Sequence, residues 1–112
     1  MNQEPLQQGV HLTFYCHLRA KHDGMLLSEW LLEQAREHGL GGGSVFRAIA
    51  GFGRHGVLHE EQFFELADDL PIKIEFLLCE DQAEVLLQLV RVADVDATYA
   101  RWPASFAMLS RH

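Results

Sequence analysis

The sequence predicts an α+β sandwich in which one antiparallel sheet carries two helices on one face, and three observations predict it. Residues 10–18 and 72–78 alternate between apolar and polar side chains, the period of a half-buried strand. Two other stretches repeat apolar residues three and four apart, as a helix does when it packs one side inward. Clusters of Gly, Pro, Asp and His separate these stretches, so the order reads strand, helix, strand, strand, helix, strand. That order, βαββαβ, is the split βαβ layout of a ferredoxin-like sandwich.

In the first strand Val10, Leu12, Phe14, Cys16 and Leu18 form the apolar row, with His11, Thr13, Tyr15 and His17 between them. Lys21-His22-Asp23-Gly24 reads as a turn, after which Leu27, Trp30, Leu31, Ala35 and His38 mark a helix over residues 25–38. Gly39 stands where a left-handed residue ends such a helix, and Gly41, Gly42 and Gly43 extend the connection. Residues 44–52 read as the second strand, although the alternation does not say which face is buried. Residues 54–69 read as a surface loop whose acids Glu60, Glu61, Glu65, Asp68 and Asp69 surround Phe63 and Phe64. After Pro71, the residues Ile72, Ile74, Phe76 and Leu78 form the core row of the third strand.

Asp81 followed by Glu84 has capping-box-like spacing, and Val85, Leu86, Leu89, Val90 and Ala93 supply the stripe of the second helix. A short final strand over residues 97–102 is expected to be limited by Pro103. The chain thus forms a single domain over residues 1–112, with 1–9 a flexible N-terminus and 103–112 a C-terminal extension. Because both helices occupy one face of the sheet, the other is left uncovered. It carries His11, Thr13, Tyr15, His17, Lys73, Glu75, Leu77 and Cys79, and self-association is the expected way to bury it. The same parity sends Cys16 to the core and Cys79 to the open face, which excludes a disulfide between them.

Composition narrows the function classes. The 112 residues, 48% hydrophobic, suffice for one core, and nine Lys and Arg against sixteen Asp and Glu give a formal charge of −7. That balance opposes attraction to nucleic acid or an anionic membrane. No apolar run approaches the roughly 18 to 20 residues of a bilayer span, and MNQEPLQQG lacks the basic-then-apolar layout of a signal peptide. Two cysteines agree with a reducing compartment, so a cytoplasmic protein is expected. Cys16 is expected to be buried and inert, Cys79 lacks a Cys/His signature, and Ser28, Ser44, Ser105 and Ser110 sit in no nucleophile motif. The expectation is a protein that is not an enzyme.

Gly51-Phe52-Gly53-Arg54-His55-Gly56 matches G-x-G-x-x-G, but a loop rather than a helix follows it, so no helix dipole is aimed at a phosphate. Residues 39–44 lack the Gly-Lys-Ser/Thr of a Walker A loop. His55 and His59, four apart with Glu60 and Glu61 nearby, could ligate a transition metal if their segment were helical. Solvated, titrating histidines are the commoner outcome of such a pair.

Ala50-Gly51-Phe52-Gly53-Arg54, then Asp69-Leu70-Pro71-Ile72-Lys73-Ile74-Glu75, then the acidic helix start Glu80-Asp81, together resemble the PII signalling proteins, in which such segments open and close the regulatory T-loop. The Gly-rich bend at residues 39–43, followed by Val45, Arg47, Ile49, Gly51, Phe52, Gly53 and then His59, is more similar still to the PII-like branch long catalogued as a domain of unknown function. The resemblance covers about residues 10–92.

The resemblance implies a homotrimer of ferredoxin-like subunits. It further implies a small anionic effector, with adenine nucleotides the candidate class, held in clefts between subunits and read out through the loop at residues 54–69. Carried over by position, Gly51 and Gly53 would let the backbone bend at the cleft, and Arg54 would offer a forked cation to phosphate oxygens. Arg47 and His55 complete the ligand-binding candidates. His55 stands where PII proteins carry the Gln that helps hold metal and 2-oxoglutarate. Arg91-Val92-Ala93-Asp94-Val95-Asp96 contains no glycine where PII proteins place a phosphate loop, and the only tyrosines, Tyr15 and Tyr99, lie outside the regulatory loop. One rival is a metal-binding trimer resembling the divalent-cation tolerance proteins, using His55, His59 and an acidic residue. Another is an adaptor module without ligand. A protein target would be reached through residues 54–69, a membrane transporter being one candidate.

Overall fold

The computed structural model describes residues 5–50 and 71–109. Strands β1 (Gln7–His17) and β5 (Pro71–Leu78) pair antiparallel, with Val10 opposite Leu78 and Cys16 opposite Ile72. Directly opposed residues point to the same face, so this register stacks the two alternating apolar rows into one layer. Val10, Leu12, Phe14, Ile72, Ile74, Phe76 and Leu78 are all buried in it. Two helices cover the layer: α1 (Leu27–Glu37), through Leu27, Trp30, Leu31 and Ala35, and α2 (Glu80–Ala93), through Ala83, Leu86 and Leu87. Strand β4 (Gly43–Arg47) flanks β5 and β6 (Thr98–Phe106) flanks β1, giving the antiparallel order β4-β5-β1-β6 of the expected ferredoxin-like sandwich.

Several boundaries differ from the sequence reading, each for a local reason. β1 begins at Gln7, because β6 continues to Phe106 and pairs with it. Pro103 does not end β6; the strand lies at the sheet edge, where a missing N–H costs no ladder bond when it faces outward. Lys21-His22-Asp23-Gly24 is more than a turn: β2 (Lys21–His22) pairs with β3 (Met25–Leu26) across Asp23 and Gly24, both at positive φ as a two-residue hairpin demands. Residues 25 and 26 are thereby taken from the helix, which starts at Leu27. At its other end the Gly39 N–H donates to the Arg36 carbonyl and the Leu40 N–H to the Ala35 carbonyl, with Gly39 in the left-handed region. His38 lies beyond the covered part of the stripe and is exposed.

The second helix is capped two residues before the expected pair: the Cys79 N–H donates to Gln82 Oε1 at 3.2 Å, so Asp81 and Glu84 both lie inside the helix. Val85 turns to solvent, and Leu87 takes the buried place instead. β4 leaves the sheet after Arg47, and residues 48–50 are not strand; residues 51 and 52 of the expected strand lie outside the described ones. Both cysteines are outside disulfides. Cys16 is partly rather than fully buried, packed against the core.

Candidate functional site

β4 settles the register that its sequence left open. Gly43 faces Phe76, Val45 faces Ile74 and Arg47 faces Ile72, so these three lie on the helix side of the sheet while Ser44 and Phe46 lie on the open side. The absence of a side chain at Gly43 is what lets β4 approach. A Cβ there would stand 2.5 Å from Phe76 Cε1 and 3.0 Å from Leu32 Cδ2, the two groups that fill the space. Arg47 is exposed at the end of this edge strand. One residue later the Ala48 N–H donates to the Pro71 carbonyl at 3.0 Å, which holds the exit from β4 against the entry to β5. Arg47 therefore stands where the intervening segment departs and returns. A guanidinium in that position can offer two parallel N–H groups to a phosphate or carboxylate.

Of the other candidate ligand residues, Gly51, Gly53, Arg54, His55 and His59 lie outside the described residues. Among the described residues no three His, Cys, Asp or Glu side chains gather as a metal site would require.

The face of the sheet opposite the helices, uncovered among the described residues, holds a polar array that the sequence reading saw only strand by strand. Lys73 Nζ lies 2.8 Å from Glu75 Oε2, and His11 Nε2 lies 3.7 Å from the same oxygen. Lys73 also stands 5.2 Å from the centre of the Phe46 ring, and the His11 ring packs at 4.3 Å on Trp102. The hydrogen bond to Glu75 raises the Lys73 pKa above its ordinary value, and the same bond, with His11 adding to it, lowers that of Glu75. Thr13, at the middle of this face, is wholly buried, and its hydroxyl has no hydrogen-bond partner among the described residues. Trp102 and Phe46 were missed because they join His11 and Lys73 only once the registers of β6 and β4 are known. Their parity within each strand was the only available signal.

On the helix side Arg101 of β6 donates to Glu84 at 2.7 Å and to Glu80, tying the edge strand to the first turns of α2. Both carboxylates raise the Arg101 pKa further. This is a fastening of two elements, and both of its anions are already committed to Arg101.

The model of a protein family described as DUF190, an uncharacterized ACR, matches residues 9–100. The chain belongs to the DUF190 family. A curated relative of this DUF190 chain, a UPF0166 protein of Aquifex aeolicus (strain VF5), is 33% identical over 85 residues, 69% of this chain and 81% of the relative. Among solved structures, CPII of Thiomonas intermedia K12 bound to ADP, AMP and acetate superposes with a TM-score of 0.61 at 15% identity, covering 93% of both chains. CPII, a nitrogen regulatory PII-like protein, also superposes when bound to ADP and bicarbonate, with a TM-score of 0.60 at 20% identity over 95% of both chains. A protein of Thermus thermophilus described as PII-like and signaling gives a TM-score of 0.61 at 15% identity over 91% of this chain and 92% of that one. At these identities the likeness is one of fold, and the DUF190 chain has the PII-like fold expected from its glycine-rich bend and the segments around it.

Proposed function

We propose that this DUF190 chain is a PII-like regulatory protein without enzymatic activity: a homotrimer that binds a small anionic effector, of the adenine nucleotide class, in clefts between subunits. In this reading Arg47 and Arg54 take the anion, Gly51 and Gly53 let the backbone come close, His55 lines the site, and residues 54–69 carry occupancy to a protein target. The observation that carries the reading is the shared fold, over 93% of both chains, with a PII-like protein that holds ADP and AMP. The bicarbonate bound in another structure of that protein supports the wider class of small anions. The exposed Arg47, a cation at the exit of β4 in a chain of charge −7, supports it from this chain. The exposed Tyr15, Phe46, Leu77 and Trp102 of the open face support association.

Thermal denaturation with AMP, ADP and ATP tests the reading. A bound nucleotide raises the melting temperature with concentration, and ligand at about a hundred times its Kd adds about 2.7 kcal/mol of stability. Arg54→Ala is expected to weaken that binding by about 1.5–3 kcal/mol, the range for a hydrogen bond to a charged group. No rise with any of the three at millimolar concentration overturns the reading, and an unchanged affinity in the variant removes Arg54 from the site.

A further inference from the structure

We draw no further inference here: the strongest candidate, the side-chain cluster of His11, Lys73, Glu75 and Trp102 around the buried Thr13 on the open face of the sheet, carries none because nothing among the described residues shows what covers that face.

Discussion

Gly9 of β1 is crowded from both sides, by β5 and by β6. A Cβ at this position would lie 2.4 Å from the Leu78 carbonyl oxygen and 2.7 Å from Phe106 Cε1, and a backbone oxygen cannot step aside as a side-chain tip can. Gly9→Ala is expected to cost about 1–3 kcal/mol, the usual penalty of overpacking, read as a lower urea midpoint at unchanged m. An unshifted midpoint would mean that β1 slides without cost. Nothing around Gly9 in the sequence announces this, because the atoms that exclude a side chain come from residues 78 and 106. The core residues were legible for the opposite reason: the period of two in β1 and β5 names Leu12, Phe14, Ile74 and Phe76 without reference to any partner. His38 was misread because a helical stripe continues past the point where the sheet stops covering it.

Strands and helices differ in how much of themselves their own residues reveal. The Asp23-Gly24 pair is a strong hairpin signal, yet the flanking strands are two residues each and too short to show a period. β6 was cut at Pro103 because a proline reads as a stop until its strand is known to be an edge. β5 was read correctly from Pro71 onward, and its charged pair makes a prediction of its own. Glu75 is held below its ordinary 4.5 by Lys73, so the folded state favours the carboxylate. Its contribution is present above pH 4.5 and is lost as pH falls through the lower folded value. Lys73, raised above 10.5, contributes below that pH and ceases to as pH rises through its folded value. Urea midpoints of the wild type are expected to decline on both sides, and Glu75→Gln to be flatter in acid. A variant as acid-sensitive as the wild type would place the loss in other carboxylates.

For the molecule as a whole, the layout and the family were legible, and the open-face cluster was not. Helices on one side of the sheet follow from the element order alone, whereas the meeting of His11, Trp102, Lys73 and Phe46 needs the order β4-β5-β1-β6 and its registers. The exposed apolar groups of that face predict self-association at a cost of about 25 cal/mol per Å² for leaving them wet. Leu77→Glu is expected to reduce the mass seen by light scattering to that of one chain, 12.7 kDa, with circular dichroism unchanged because the side chain is 46% exposed in the single subunit. A variant that still associates would put the contact elsewhere. The hydrogen bond from Ala48 to Pro71 has a different implication, for engineering. It closes the scaffold on itself at one corner of the sheet, so a foreign peptide spliced between those two residues starts and finishes within a single bond's span. Lengthening such an insert costs the framework only slowly with size, which makes this corner a natural socket for grafted recognition sequences.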